Sequence, residues 1–415
     1  MIKVAFDNWD YYSGNLRDHW NSYNNSYPDP AISGHMHRDY FYNKNIFEII
    51  HTKDIKKNDV FIYPIQVNYD FFYTEPSGKL VIDSTFEKIP ESVIELISDH
   101  KGFLLINYQM EPEVEVEHLK KIYSVLSEYN IPSKKVIYVN GCINCDYHGK
   151  KVPGNLNLLY YSCGLRCSSE QIEQEGDVVY DPNKKIDKLF LVLNKRRKTH
   201  RSSLLYRFYE NSLLDKSFFS YNDPYETNFD FDHFQYLVSS LCPDFDAKKL
   251  KDVYNLLPII LDNYYDSKSG YDPSGADLGV ENLYENSLLS IVTESKFEDD
   301  IIQTTEKIFK PIRRKHPFIV LGPCQLVKNI QRLGFKTFNE FWNEEYDDIA
   351  DPIMRLNAVV KECETIATWS DEKIADFNKK VQPILEYNFE HLKSLTPEVF
   401  FVPKLRAILA KNLPR

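Results

Sequence analysis

"LFLVLNKRRKTHRSSLLYRFYENSLL", from Leu189 to Leu214, changes character twice in a short space. The continuous apolar run Leu189–Leu193 is too short for a helix and suits a strand covered on both faces. Asn194–Arg201, "NKRRKTHR", then forms a cationic turn, and Leu204, Leu205, Phe208 and Leu213 fall on one helical stripe. Strand, basic loop and helix in that order predict a parallel α/β sheet. In open sheets of that kind, ligands sit beyond the carboxyl ends of the strands, where loops enter helix N-termini.

The same alternation extends in both directions. Upstream, short β-branched or aromatic segments at Ile2–Phe6, Val60–Tyr63, Phe103–Ile106 and Val136–Val139 read as strands. The last two bracket "EVEHLKKIYSVLSEYN", where Leu119, Ile122, Tyr123 and Leu126 share a helix face. This is a β-α-β unit, expected to be right-handed and parallel. Downstream come "LSIVTE", "PFIVLG" and the helix "QLVKNIQRL", stopped by Gly334; from Tyr346 the pattern is helical. The polar stretch "EQIEQEGDVVYDPNKKIDK", Glu170 to Lys188, has no sustained period and reads as a linker. The expectation is therefore two Rossmann-like α/β domains, 1–180 and 186–380, with a helical segment over 381–415. The sequence shows no internal repeat and no low-complexity tract.

Composition narrows the function classes. With 415 residues, 43% hydrophobic and 27% charged, the chain is an ordinary globular one, long enough for two cores. Its 29 tyrosines and 26 phenylalanines supply many rings of the kind found in clefts and interfaces. A net charge of −11 disfavours general coating of nucleic acid, while leaving room for a local basic cleft. No run of about 18 apolar residues is present, and "MIKVAFDNWD" has acids where a secretory leader is apolar. A soluble, cytoplasmic protein without a membrane partner is expected.

Four of the seven cysteines cluster as Cys142-x-x-Cys145 and Cys163-x-x-x-Cys167, near zinc-ribbon spacing. A structural zinc and four reduced cysteines are both open readings. A catalytic zinc is not favoured, because four thiolates leave no open coordination position.

The second cationic region is "TTEKIFKPIRRKHPFIVLG", Thr304 to Gly322, where Thr305, Glu306 and Lys307 open a helix. If this helix and the one after Asn194 start at one cleft, free amides with Lys307 and Arg201 would hold a diphosphate. Glu306 would then accept hydrogen bonds from ribose or sugar hydroxyls. The plainer reading makes the arginines a solvated face and Glu306 a first-turn stabiliser. Neither GxGxxG nor GxxxxGK[ST] occurs, and only 14 glycines are present, which counts against dehydrogenases and P-loop NTPases.

The combination "SIVTES", "TTEKIF" and "HPFIVLG" resembles the donor-binding motif of α1,3-fucosyltransferases and related glycosyltransferases. Similar motif pairs occur in glycosyltransferase-like proteins of phages and marine bacteria. The likeness covers about Leu189 to Phe338. Glu294-Ser295 stands where the family has an acidic-Asn-Ser strand end, Thr305-Glu306-Lys307 matches its helix start, and Phe318–Gly322 matches its closing strand. The resemblance implies a GT-B enzyme, with two Rossmann-like domains facing a cleft and a nucleotide-sugar donor, UDP- or GDP-linked, in the second. It places Asn194, Arg197, Arg201, Glu294, Thr305, Glu306 and Lys307 at the donor. Glu111, with Glu113 as the spare, becomes the base that takes the acceptor's proton. Glu298 and Glu306 also show the E-x7-E spacing of many retaining enzymes, so stereochemistry stays open. The acceptor would be a glycan or small molecule. The Lys-, Asn-, Tyr- and Ile-rich composition, like that of a low-GC phage gene, adds 5-hydroxymethylcytosine in DNA, modified in the host cytoplasm. A non-catalytic, zinc-containing nucleic-acid-binding protein is the contrasting alternative.

Overall fold

Strands form where the apolar runs lie. In the first half these are β1 (Ile2–Phe6), β2 (Phe47–His51), β3 (Val60–Gln66), β4 (Lys101–Tyr108), β5 (Val136–Asn140) and β6 (Asn157–Tyr160). In the second they are β7 (Lys188–Asn194), β8 (Ser217–Tyr221), β9 (Ser287–Thr293) and β10 (Phe318–Leu321). The computed structural model describes residues 1–6, 45–56, 58–66, 71–74, 77–99, 101–108, 114–222, 229–261 and 281–413. Among these residues no helix is long and apolar enough to cross a membrane.

The chain divides into two units, Met1–Cys163 with Thr396–Arg415, and Gly164–Leu395. The first holds a six-stranded parallel sheet in the order β2-β1-β3-β4-β5-β6. β5 is buried along its whole length and β4 at every residue but the first, as a strand covered on both faces requires. Between them the helix Val116–Glu128 buries Leu119, Ile122, Val125 and Leu126, a spacing that keeps one stripe inward. The expected β-α-β unit is therefore present, with strands longer than the apolar cores that announced them. β2 and β6, at the two edges, were not anticipated.

The second unit holds a four-stranded parallel sheet, β10-β9-β7-β8. All seven residues of β9 and all four of β10 are buried. The helix Thr199–Glu210 is buried continuously from His200 to Phe208, more than the single stripe expected of it. It packs against the helices Phe231–Ser239, Ala247–Tyr254 and Pro352–Ile366, which cover its other faces. The helix Glu306–Arg313 joins β9 to β10 and packs on the long helix Asp371–Ser394.

Two boundaries differ from expectation. The division between units falls at Cys163/Gly164, at the start of the helix Cys163–Glu175, so the supposed linker belongs to the second unit. Its polar residues serve as anchors: Lys184 Nζ donates to the carbonyls of Tyr284 (2.9 Å) and Ser287 (2.7 Å), and Tyr180 is buried. At the other end, Asp371–Ser394 runs through the expected boundary at 380, and the chain from Thr396 belongs to the first unit. There Phe401 and Leu405 are fully buried, and Tyr161 stacks on Phe400 and Phe401 with ring centroids 5.9 and 5.5 Å apart.

In each sheet the first strand lies between the second and the third. β7 has β8 on one side and β9 on the other, just as β1 has β2 and β3. In open parallel sheets the point where strand order reverses opens a crevice at the carboxyl ends of the strands, and ligands bind there.

Candidate phosphate site at the carboxyl edge of the second sheet

β7 ends in Asn194, beside Tyr221 at the end of β8. β9 ends in Thr293, beside Leu321 at the end of β10. The switch in strand order therefore puts Asn194 and Thr293 on the two sides of the crevice, and Thr293 Oγ1 donates a short hydrogen bond to Asn194 Oδ1. Asn194 is 1% exposed, and its Nδ2 has no partner. A buried amide donor left unpaired costs about 1–3 kcal/mol, a cost that an acceptor atom of a ligand in the crevice would relieve.

Arg201 stands in the first turn of Thr199–Glu210 and is 2% exposed. Its Nη2 donates to the carbonyls of Thr293 (3.1 Å) and Glu294 (3.3 Å), and Nη1 to that of Arg196 (3.3 Å). The guanidinium thus spans the crevice, with Nε left unpartnered. Burial lowers its pKa to about 10, with Glu294 and Glu306 opposing the shift, so it stays cationic at neutral pH. His200, next to it, donates from Nε2 to the Glu294 carbonyl at 2.9 Å. Burial, with Arg201 adding repulsion, holds that imidazole neutral. Its ring stacks on Phe297 (5.1 Å), while the Arg355 guanidinium lies 4.5 Å from the Phe297 centroid.

The opposite wall is built on Glu294, which is fully buried. Its carboxylate accepts from Thr305 Oγ1 (2.6 Å), Thr305 N (3.2 Å) and Ser295 N (3.1 Å). Burial raises its pKa, against the nearby Lys307 ammonium. Thr305 in turn caps the helix Glu306–Arg313, its Oγ1 accepting from Lys307 N at 3.3 Å. A Cβ on Gly164 would lie 2.3 Å from the Glu306 nitrogen, so this position admits only glycine without displacement. The free amides expected at this helix start are therefore engaged: Thr305 N and Lys307 N are bonded, and backbone packs on Glu306 N. The start of Thr199–Glu210 is the open one. Its N-cap residue, Lys198, makes no side-chain cap and instead sends Nζ to the Ser295 carbonyl at 2.7 Å. Arg201 N and Ser202 N return to the Lys198 carbonyl, leaving the amides of Thr199 and His200 outside the helix ladder.

Lys307 Nζ lies 2.7 Å from Glu306 Oε1, 3.4 Å from Ser295 Oγ and 3.4 Å from Thr305 Oγ1, with its side chain 28% exposed. Arg201 and Lys307 thus converge on the end of β9. The buried setting of Glu306 favours protonation, but Lys307 and Lys310 outweigh it and hold the carboxyl at about 2. Arg197 stacks its guanidinium 3.8 Å from the Phe229 ring centroid, on the β8 side of the crevice. The "solvated face" reading fails for part of the basic cluster: Arg313 is 1% exposed, and Lys315 Nζ pairs with Glu386. At the opposite edge of the sheet, a groove of about 600 Å³ is lined by Lys184, Lys188, Asp215, Lys216 and part of Asp371–Ser394. Its lysines donate to backbone carbonyls, which makes it a seam between elements.

In the first unit, Glu111 and Glu113 lie outside the described residues. Two residues past Glu113, Glu115 Oε2 lies 2.7 Å from His118 Nδ1, and both side chains are about one-third exposed (39% and 31%). The His118 ring contacts Phe72 at 4.3 Å, and Phe72 contacts Tyr108, the last residue of β4, at 6.0 Å. The pair therefore stands at the carboxyl edge of β4. Its only trace in the sequence is Glu-x-x-His at a helix start. Phe297 and Arg355, far apart in the chain, left no trace.

Cys142 and Cys145 are buried. Cys142 Sγ donates to Asn144 Oδ1 at 2.9 Å, and burial pushes the Cys145 thiol up to about 12. Cys163 closes the first unit and Cys167 belongs to the second, with both side chains outside the described residues. Among the described residues no group of three or more His, Cys, Asp or Glu side chains could hold a metal ion. Comparison with protein-family models, curated proteins and solved structures finds no match to this chain.

Proposed function

We propose that the chain is a GT-B-type glycosyltransferase that moves a sugar from a nucleoside-diphosphate sugar to a hydroxyl. The observation that carries the reading is the crevice between β7 and β9. Two buried, unpartnered donors, Asn194 Nδ2 and Arg201 Nε, stand there beside an uncapped helix start. That arrangement suits the diphosphate of the donor, held by side chains and a helix end without a glycine cradle. Two α/β units with parallel sheets agree with it.

In this reading the C1–oxygen bond to the diphosphate breaks as the acceptor oxygen bonds to C1. Arg201, Lys307 and the amides of Thr199 and His200 stabilise the charge that grows on the leaving diphosphate. Glu306, ionised and fixed by Lys307, accepts from sugar or ribose hydroxyls. The acceptor's proton passes to a general base. Glu115 orients His118 through Nδ1, the arrangement by which a carboxylate prepares an imidazole to take a hydroxyl proton.

The test is a melting-point panel of UDP-, GDP-, CMP- and dTDP-sugars. A ligand at 100 times its Kd stabilises the folded state by about 2.7 kcal/mol. One donor class is expected to raise the midpoint by several degrees, and Lys307→Ala to cut that rise by half or more. No rise with any donor overturns the reading. Transfer by the binding donor to a glycan, a small hydroxylic compound or hydroxymethylated DNA then identifies the acceptor.

A further inference from the structure

We propose that Arg197 and Phe229 form a stacking seat for the planar base of the nucleoside phosphate bound at the crevice. This rests on the nucleotide reading above. Arg197 lies in the loop leaving β7, two residues before the helix that opens on the phosphate site, and Phe229 follows the carboxyl end of β8. The pair therefore adjoins the phosphate position on the side away from Glu294.

Phe229 is held firmly. Its carbonyl accepts from Tyr254 Oη at 3.2 Å, and its ring meets His233, Phe234, Tyr254 and Tyr221 at centroid distances of 5.4, 5.9, 6.3 and 6.4 Å. Tyr221 is itself tied to the phosphate-site helix, its Oη lying 2.6 Å from Ser202 Oγ. Arg197 lays its guanidinium over this ring, yet both residues are only half-buried, so the layered pair stays within reach of solvent. A guanidinium plane is weakly hydrated on its faces and stacks on π systems. A layered arginine and phenylalanine thus add a third flat layer at little cost in ordering. Every nucleobase has such a face, so the seat fixes that a base is present more than which base it is.

The experiment measures the affinities of UDP, GDP and inorganic pyrophosphate for the full chain by calorimetry. Arg197→Lys keeps the charge but loses the plane, and Phe229→Leu keeps apolar bulk but loses the ring. In each variant, affinity for the preferred nucleoside diphosphate is expected to fall about tenfold. Pyrophosphate affinity and the melting midpoint should hold near wild type. Equal nucleotide affinity in variants and wild type overturns the seat and leaves the nucleotide reading intact. Equal losses for nucleotide and pyrophosphate also overturn it, because the pair would then only support the loop. Failure of wild type to bind any of the three ligands overturns the underlying reading instead.

Discussion

The two units share a strand order and differ in what they bury. In each sheet the second and third strands flank the first, and both sheets are parallel throughout. Yet among the described residues every buried lysine, arginine, aspartate or glutamate lies in the second unit: Arg201, Arg207, Glu294, Arg313, Lys315, Asp347 and Arg355. The first unit buries uncharged polar groups such as Asn107, Asn140 and Asn157. Asn157 there donates to the Lys134 and Val136 carbonyls and so joins neighbouring elements. Burying charge is costly unless it is paired and hydrogen-bonded. A unit that sets buried Arg201, Glu294 and Arg355 at the carboxyl edge of its sheet is organised for more than packing, whereas the first is held mainly by apolar contact.

The largest expected effect tests whether the first unit contributes chemistry at all. His118→Asn should lower turnover of the transfer reaction by about ten-thousandfold, the high end for losing general-base catalysis, while nucleotide affinity stays unchanged. Single-turnover kinetics beside calorimetry separates the two, and an unchanged rate removes His118 from the mechanism. Next comes stability. Glu294→Ala leaves Thr305 Oγ1, Thr305 N and Ser295 N without their buried acceptor, and should cost about 3–5 kcal/mol in urea unfolding. Leu119→Ala in the first unit should cost about 3 kcal/mol through lost apolar contact and a cavity. If Glu294→Ala is milder than Leu119→Ala, the contrast between the units is wrong.

Smaller still is the loss at Lys307. Removing a charge-assisted contact to phosphate costs about 1.5–3 kcal/mol, so Lys307→Ala should weaken nucleoside-diphosphate binding roughly ten- to a hundredfold. The smallest effect is a pH dependence. The Glu306 carboxyl sits at about 2 in the folded chain, below its ordinary value of 4.5. The unfolded chain therefore binds the proton first as pH falls. Glu306 thus contributes stability above pH 4.5 that is lost as pH drops toward 2. Because the side chain is 32% exposed, the contribution is about 1 kcal/mol or less. Melting curves of wild type and Glu306→Gln should converge over that window.

Much of the architecture is legible in the sequence. Each predicted strand is present, and Leu119, Ile122 and Leu126 are buried on the stripe where periodicity put them. The edge strands β2, β6 and β8 leave a weaker signal because an edge strand needs less apolar character than one covered by neighbours on both sides. The shared strand order was equally invisible, since it resides in which strands pair and leaves no sequence repeat. At the site, Asn194, Arg201, Glu294, Thr305 and Lys307 were named in advance and do gather at the carboxyl ends of β7 and β9. Free amides were expected at both helix starts, and only the Thr199 end leaves them open. Whether an amide is free depends on Glu294 and Gly164, 11 and 141 residues from Thr305.

Residue order carries the alternation of strand and helix and the clustering of cations after β7, because periodicity and local charge are properties of neighbours along the chain. It is silent on which of those cations remain available to a ligand. That follows from hydrogen-bond partners brought together across some 90 residues, as when the Thr293 and Glu294 carbonyls take up Arg201's terminal nitrogens and leave Nε unpaired. Availability is what remains after folding has satisfied every polar group it can reach.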